Sequence, residues 1–413
     1  MNARRAHRPR AAVLVPMGLV LVLMFGVVVA SVHAAPASEE RCGTCHPAER
    51  TQHLEGVHAA GQVGCVSCHG GDATASEAAA AHGAGFKGRL GREAVPGLCA
   101  SCHADPQAMR AWGLPTDQHA LWLGSGHGEH VRNGNREAAV CTDCHGVHDI
   151  RSPRDSQART FVANVDVTCG RCHGDEKRLA ARGLANAHAA WEGGAHAEAF
   201  RREGAEVGPT CTSCHGVHGA VAPGRNEVDK VCGSCHAAER AAFRSGPHAT
   251  VFADPTKPEC SACHDPHAVA APEKGASPAA CASCHAPMTR AAILGRRMGR
   301  EYAAAEQRLA RAVRRVEEAS AVPMRTEDHR ERLEEARQHL EQARVALHAV
   351  RLEAFAEPMR LANVVAGEVE RDLEHRLHVN LVWKVLLVVF WFLVLGTALL
   401  LRRMRDRKSD VAG

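Results

Sequence analysis

The chain has 413 residues, a formal charge of +4 and only 4% aromatic side chains. Two terminal segments carry more than that charge: four arginines lie before residue 11, and the C-terminal tail has five basic and two acidic residues. Residues 35–401 therefore carry a net charge of about −3. This balance excludes the basic stripe of a nucleic-acid-binding protein, whereas an acidic surface suits docking to basic partners.

The first 34 residues have the pattern of a secretory signal peptide. The four arginines precede an apolar run that ends at Val32-His33-Ala34, where cleavage is expected. The run is long, so an uncleaved N-terminal anchor is the alternative. In either case the sequence predicts that the chain after residue 34 is exported.

All 18 cysteines fall in C-x-x-C-H units, which leaves none for a disulfide or a free thiol. This unit is the attachment pattern of c-type haem: two thiols bond the vinyl groups of one porphyrin, and the adjacent histidine binds its iron. Zinc sites and redox dithiols also use C-x-x-C, but neither requires a histidine after it nine times. The units, predicted to hold nine covalently attached haems c, are Cys42/Cys45/His46, Cys65/Cys68/His69, Cys99/Cys102/His103, Cys141/Cys144/His145, Cys169/Cys172/His173, Cys211/Cys214/His215, Cys232/Cys235/His236, Cys260/Cys263/His264 and Cys281/Cys284/His285.

Residues 35–289 divide into four two-haem repeats plus a ninth unit. The second motif of repeats two to four continues to another histidine, as in CTDCHGVH and CTSCHGVH, whereas the first repeat has Asp72 at that position. A further histidine recurs between the two motifs of every repeat. Repeats two and three also place Trp122 and Trp191 at the same offset, either as core filling or against a porphyrin face.

Histidines outside the motifs are candidate second ligands, because histidine on both sides of the iron suits electron transfer. A histidine three residues after a motif histidine cannot reach the far face of its own haem, so it is expected to bind a neighbouring iron. Aspartate is a poor iron ligand, and His82 or His53 is expected to act in place of Asp72. The predicted second ligands are His58, His82, His127, His148, His196, His218, His248 and His267.

That set leaves one of the nine irons without an assigned ligand. His119 and His188 are the reserve candidates, and His130 is a further histidine of the same region. Met109 or Met288 is another option, which would raise the potential of one haem.

The doubled pattern, with C-x-x-C-H-x-x-H as its second member, resembles the multihaem cytochromes c of the doubled-motif type over about residues 42–289. The resemblance implies low-potential haems with two histidine ligands each, packed closely into an electron conduit. The segment is poor in large apolar side chains, so we expect porphyrins to supply much of its buried surface. Without haem it is expected to be disordered.

Residues 290–379 change character, because cysteine vanishes and Glu, Arg, Ala and Leu dominate. Apolar residues recur every three or four positions, which predicts a coiled-coil-like antiparallel hairpin. The stretch from Ser320 to Asp328, with Pro323 and a capping-type Thr326, breaks it, and Pro358 marks a further start or kink. A structural stalk or a homodimer seam is the expected role.

Residues 381–401 are continuously apolar except for Lys384 and predict a transmembrane helix of roughly 32 Å. Basic residues follow it, so residues 402–413 are expected to be a cytoplasmic tail. The predicted fold is therefore mainly α-helical and irregular: a haem-packed nonahaem domain, a helical hairpin and a C-terminal anchor.

The sequence predicts an electron relay in the bacterial cytoplasmic membrane, with the haem domain in the periplasm. A quinol-oxidising or cytochrome b-type membrane subunit is the expected donor, and periplasmic redox proteins are the expected acceptors. The ninth unit, which adjoins the helices, is expected to lie nearest the membrane.

The alternative is a reductase or oxidase of a small nitrogen or sulfur compound, with one open haem. Long C-terminal helices also occur in the nitrite-reductase and hydroxylamine-oxidoreductase families, and Tyr302 is similar to the haem-crosslinked tyrosine of the latter. The motif spacing is too regular and short for those folds, and no C-x-x-C-K unit is present. Electron transfer is therefore favoured over catalysis.

Overall fold

The computed structural model describes residues 40–223, 227–254, 259–270 and 278–411. These residues form helices, turns and irregular segments and contain no strand, so the prediction of a mainly α-helical and irregular chain is confirmed. The predicted signal peptide, residues 1–34, lies outside the described residues.

Residues 40–289, called here the motif region, consist of short helices joined by turns. Most of the helices are one or two turns long, because glycine and proline punctuate the sequence. They are α1 (Cys42–Cys45), α2 (Pro47–Leu54), α3 (Val57–Ala60), α4 (Cys65–His69), α5 (Ala78–Ala81), α6 (Val95–His103), α7 (Pro106–Met109), α8 (Gln118–Gly124), α9 (Gly126–Arg132), α10 (Cys141–His145), α11 (Val165–His173), α12 (Glu176–Ala180), α13 (Ala187–Glu192), α14 (Ala195–Glu203), α15 (Cys211–His215), α16 (Val228–Gly233), α17 (Ala237–Ser245), α18 (His248–Val251) and α19 (Pro278–Ala282). Four 3₁₀ turns complete the set, at Arg92–Ala94, Arg110–Trp112, Val162–Asn164 and Cys260–Ala262.

Three long helices follow the motif region: α20 (Arg290–Ser320), α21 (Glu327–Leu347) and α22 (Leu352–Val411). The start of α20 packs against the end of α21 and the start of α22, and the end of α20 packs against the start of α21. Helix α21 therefore runs antiparallel to the other two, as the predicted hairpin requires. The third helix packs along both, and the result is a three-helix bundle.

The two clusters of buried apolar side chains in the described residues both lie in this bundle. One is centred on Met298, Tyr302 and Phe355, and the other on Val316, Val369 and Leu373. The motif region contributes only scattered buried apolar side chains, such as Val140 and Trp191. Its protein-only core is therefore weak, as the composition predicts.

The break between α20 and α21 falls within residues 320–328, where proline and polar residues predict it. Thr326 precedes α21, but its hydroxyl pairs with that of Ser320 (3.1 Å) and makes no bond to a backbone N–H of the helix. Pro358 does not start a helix: α22 begins at Leu352 and continues through the proline. Only one backbone bond is lost there, and Phe355 and Met359 on either side are buried in the bundle.

Helix α22 is 60 residues long and carries the apolar stretch of residues 381–401 without interruption. By length and composition, Leu352–Arg403 is the one part of the described chain apolar enough to cross a membrane, and none of its most apolar window is buried. From Leu352 to Leu381 the helix rises about 44 Å. The ninth motif lies at the end of the bundle where α20 and α22 begin, called here the upper end. The bundle therefore separates this motif from the apolar stretch, which follows its other end.

Candidate functional site

Each of the nine motif histidines faces a second histidine. The ring centroids of every pair are 5.9 to 6.2 Å apart. With the motif histidine first, the pairs are His46–His82, His69–His148, His103–His58, His145–His218, His173–His127, His215–His267, His236–His196, His264–His348 and His285–His248.

This spacing fits two imidazoles on opposite sides of one metal ion. A metal–imidazole bond is about 2.0 Å long and a ring nitrogen lies about 1.1 Å from its ring centre, so two such rings stand roughly 6 Å apart. Direct stacking of aromatic rings also allows this distance, but stacking does not explain why every pair joins one motif histidine to one other histidine. The residues present therefore fit a ligand set of two histidines per iron.

All eight histidines of the predicted second-ligand set occur in these pairs. The ninth partner, His348, is not among the predicted ligands, because it lies outside residues 42–289, the segment that carries the motif pattern. The reserve residues take other positions: His119 stacks on Trp122, His188 lies 3.7 Å from Glu192, and His53 and His130 belong to none of the nine pairs. Among the methionines, Met288 is 84% exposed and Met109 is buried.

The pairs cross between neighbouring repeats in a regular way. The histidine between two motifs points forward, so His58 of the first repeat faces His103, the first motif histidine of the second. The histidine after a second motif points backward, so His148 of the second repeat faces His69 of the first. The same exchange continues along the array, and each junction between repeats is therefore crossed twice.

The crossing explains the departure in the first repeat. A histidine in place of Asp72 would point backward and face a motif histidine of a preceding repeat, but no C-x-x-C-H unit occurs before Cys42 in the sequence. The carboxylate of Asp72 instead accepts hydrogen bonds from the backbone N–H and hydroxyl of Thr74. His46, which likewise has no earlier repeat to serve it, faces His82 from its own repeat.

Local backbone structure directs the backward-pointing histidines. Helices α10 and α15 end at Gly146 (φ +89°) and Gly216 (φ +78°), a left-handed conformation that glycine adopts without strain. The chain turns sharply there, and the histidine two residues later, His148 or His218, points toward the preceding repeat. In the fourth repeat Asp265 replaces the glycine, and its carboxylate accepts the backbone N–H groups of His267 (2.9 Å) and Ala268 (2.7 Å).

Backbone contact between repeats holds the forward-pointing histidines. Beside the forward-pointing histidine of each of the first three repeats, a backbone N–H donates a hydrogen bond to the following repeat. The acceptor is the carbonyl of the residue two positions after the backward-pointing histidine of that repeat. The bonds are Val57 to Ile150 (2.8 Å), Gly126 to Ala220 (3.2 Å) and Ala195 to Val269 (2.8 Å). The residue two before the histidine is a glycine in the first and third repeats, where the backbone of the following repeat passes close to it, and the buried Ser125 in the second.

Burial favours the neutral form of many of these histidines, which is the form that binds a metal. Burial, with the neighbouring His218, lowers the pKa of His145 to about 4. Burial is also the first cause of the lowered pKa of His127 and His264. Backbone carbonyls orient other rings: Nδ1 of His215 lies 2.9 Å from the Val221 oxygen, which leaves Nε2 for the iron.

Consecutive motifs lie side by side. The first cysteines of the two motifs in a repeat are neighbours: the thiol of Cys141 raises the pKa of Cys99, and that of Cys211 raises the pKa of Cys169. Adjacent repeats also meet: the pKa of Cys68 is raised by burial and then by the charge of Cys102. The pKa of Cys144, Cys214 and Cys263 is likewise raised by burial, with a contribution from a cysteine of the next repeat or of the ninth unit, so the motifs follow one another in sequence order.

The two cysteines of a motif differ in exposure. The first cysteine is half-buried in all nine motifs, whereas the second is exposed in seven of them. The motif region is short of large apolar side chains, so the protein alone does not cover these thiols. The exposed second cysteines are Cys45, Cys102, Cys172, Cys214, Cys235, Cys263 and Cys284.

Four of these exposed thiols contact polar neighbours, and Sγ of Cys102 lies 4.0 Å from the hydroxyl of Ser101. Sγ of Cys172 accepts a hydrogen bond from the guanidinium of Arg178 (3.4 Å). Sγ of Cys235 and Sγ of Cys284 lie 3.9 and 3.7 Å from the hydroxyl of the preceding serine. Such contacts with sulfur are weak and leave the thiols accessible, so the assignment of Cys172, Cys235 and Cys284 to haem attachment stays a prediction from the motif.

The paired tryptophans have a clear structural role. The indole N–H of Trp122 donates to the Ala139 carbonyl (3.2 Å), and that of Trp191 donates to the Pro209 carbonyl (3.3 Å). Both acceptors stand two residues before the second motif of their repeat. Tyr302 is buried among the helices of the bundle, away from the motif cysteines.

Comparison with known families agrees with this arrangement. The cytochrome c3 family matches residues 57–174, and the doubled CXXCH motif matches residues 203–241 and 253–290. No curated protein and no solved structure matches the chain. The C-x-x-C-H motifs and the cytochrome c3 match indicate covalently bound c-type haem, and membership of such families suggests electron transfer. The chain is a multihaem cytochrome c.

Proposed function

We propose that the chain holds nine haems c, each with two histidine ligands, and relays electrons along them in sequence order. The observation that carries this proposal is the set of nine histidine pairs, each with one motif histidine and a centroid spacing of 5.9 to 6.2 Å. The nine motif histidines and their nine partners act as ligands in this proposal.

The bound haems supply reversible one-electron chemistry. The residues of the chain fix their number, order and coordination. Two cysteines would hold each porphyrin and two imidazoles would bind its iron, so the iron would have no open position for a substrate. The contacts between consecutive motif cysteines support a linear order.

The proposed location is the periplasmic face of the cytoplasmic membrane, with α22 as the anchor. The apolar residues 381–401 support this, together with the basic residues that follow them. The proposed partners are a membrane subunit that oxidises quinol, such as a cytochrome b-type protein, and basic periplasmic redox proteins attracted to the acidic exported part.

We propose that electrons enter at the ninth unit, because it adjoins the bundle that leads to the membrane. Helix α19 packs on α20, and Cys281 lies close to Gly295 at the upper end of the bundle. The bundle holds this end about 44 Å along α22 from the apolar stretch. The donor must therefore rise from the membrane or carry a periplasmic redox domain of its own.

The test is to rebuild the relay with and without its proposed entry. The holoprotein is placed in vesicles with its quinol-oxidising partner, and haem reduction is followed by absorbance. The double variant Cys281→Ala/Cys284→Ala should carry eight haems by mass and lose most of the reduction rate. Cys42→Ala/Cys45→Ala, at the other end, is the matched control and should keep that rate. Equal rates in both variants would refute entry at the ninth unit.

The enzymatic alternative requires an iron with an open position. It predicts that the purified protein turns over nitrite, hydroxylamine or a sulfur oxyanion with a reduced dye as donor. The relay predicts no such turnover, and it predicts rapid electron exchange with a basic redox protein that slows as salt is added.

A further inference from the structure

The turn between α21 and α22, residues 348–351, meets the motif region where another repeat would stand. In the first three repeats, the segment before the forward-pointing histidine rests on the backbone of the following repeat. The approach is close: a Cβ on Gly56 would lie 3.0 Å from the Ile150 oxygen, and one on Gly194 would lie 2.9 Å from the His267 oxygen.

The fourth repeat makes the corresponding contact with the bundle. Gly246 precedes His248 by two residues, as Gly56 and Gly194 precede their histidines. A Cβ on Gly246 would lie 2.4 Å from the carbonyl oxygen of Ala349. Helix α17, which leads to Gly246, also packs on α21, so the turn of the bundle occupies the place of a following repeat.

His348 in this turn has the position of a backward-pointing histidine. His148, His218 and His267 each face the second motif histidine of the preceding repeat, and His348 faces His264, the second motif histidine of the fourth, at 6.2 Å.

The His348 ring is oriented from within the bundle. Its Nδ1 lies 3.3 Å from the Val345 carbonyl oxygen, so Nε2 is the nitrogen available to an iron. Val350, two residues later, has φ +47°, an unusual conformation for a β-branched residue. The chain reverses there into α22, and Ala349 between these residues is buried against the motif region.

We infer that His348 binds the iron of the haem attached at Cys260 and Cys263, and that the helical bundle is thereby a metal-fastened cap of the haem array. Arrays of repeats need special units at their ends, because a terminal repeat lacks one neighbour. At the N-terminal end, His82 of the first repeat faces His46 of the same repeat. At the C-terminal end the bundle supplies the missing ligand, and it also carries the membrane anchor. This inference rests on the proposed two-histidine ligation.

The experiment compares the full-length holoprotein with His348→Ala and with His339→Ala, a histidine on α21 that bonds only within its helix. Electron paramagnetic resonance counts high-spin and low-spin ferric haems. The inference predicts that His348→Ala converts one haem in nine to high spin, that added imidazole restores it, and that His339→Ala changes nothing. It also predicts faster amide exchange in residues 348–351 of His348→Ala.

A second variant covers the case in which His348→Ala does not accumulate. His348→Met offers a thioether ligand, so one haem should become a histidine–methionine haem with a raised potential. An unchanged low-spin count in His348→Ala, or an unchanged set of potentials in His348→Met, would overturn the inference.

The inference and the proposed function fail in distinguishable ways. If unmodified protein is fully low-spin and His348→Ala is too, the cap is wrong and the relay stands. If unmodified protein already has a high-spin haem and His348→Ala adds another, two-histidine ligation throughout is wrong and the cap stands.

Discussion

The close contact between repeats at Gly194 predicts a local loss of stability in Gly194→Ala. Gly194 has extended backbone angles (φ −93°, ψ 166°) that alanine adopts without strain. The new Cβ would nevertheless lie 2.9 Å from the His267 oxygen and 3.2 Å from the Trp191 oxygen. Both atoms are backbone, so the repeats must move apart.

The expected cost follows from three contributions. Inserting a methyl group into a tight contact costs roughly 1–3 kcal/mol. The hydrogen bond from Ala195 to Val269, now 2.8 Å, lengthens and loses up to about 1 kcal/mol. Replacing glycine stabilises by about 0.4–1 kcal/mol through the unfolded state. The net effect is about 1–2 kcal/mol against the junction of the third and fourth repeats, or about 5–30-fold in its opening equilibrium.

Amide hydrogen exchange measures this opening locally. In Gly194→Ala, peptides that cover residues 194–200 and 265–270 should exchange about 5–30-fold faster. Gly193→Ala is the matched control, because a Cβ there makes only ordinary contacts of 3.7 and 3.8 Å with its own helix. Equal protection in both variants would refute the packing of one repeat on the next at this residue.

Three further predictions concern the ligands, the bundle and the anchor. His127→Ala should convert one haem to high spin while His188→Ala leaves the electron paramagnetic resonance spectrum unchanged, and the reverse would restore His188 as a ligand. The hydrogen bond with His329 lowers the pKa of Asp372 below its usual 3.8. The stabilisation from this bond is therefore present above pH 3.8 and is lost as the pH falls through the lowered pKa. Thermal melts of Asp372→Asn should lack this loss at acid pH, and an unaltered acid dependence would contradict the pairing. Truncation after residue 380 should move the protein, with its haem spectrum intact, from the membrane to the soluble fraction, and a truncated protein that stays in the membrane would refute the anchor.

The repeat pattern was enough to find the eight histidines that the structure brings to motif histidines. Their spacing from the motifs is local information, and His58 and His148 stand at positions that recur in later repeats. Which motif histidine each of them faces was harder to predict from the sequence. It depends on the crossing between repeats, which involves contacts such as Val57 to Ile150, 93 positions apart in the chain.

His348 shows what the local pattern lacks. It follows His264 by 84 positions and lies in a helical segment that reads as a stalk. The only sequence signal was numerical, since nine haems were matched by eight assigned ligands. Asp72 was the converse case: it looked like a defect, and it becomes intelligible only when the direction of the crossing is known.

The bundle was predictable in outline because its apolar period is regular. Leu333 and Leu340 are buried, as their positions in the apolar period predict. The start of α22 was not predictable from Pro358, because tertiary packing around Phe355 extends the helix six residues before the proline. The contact of Ala349, in the turn before α22, with Gly246 is equally a tertiary feature.

The central claim is that every iron in this chain has two histidine ligands. Quantitative electron paramagnetic resonance of the oxidised, full-length holoprotein, with the haem count taken from its mass, tests this most directly. The account predicts nine haems and nine low-spin ferric signals per chain. A stoichiometric high-spin signal, or fewer than nine haems, would contradict it.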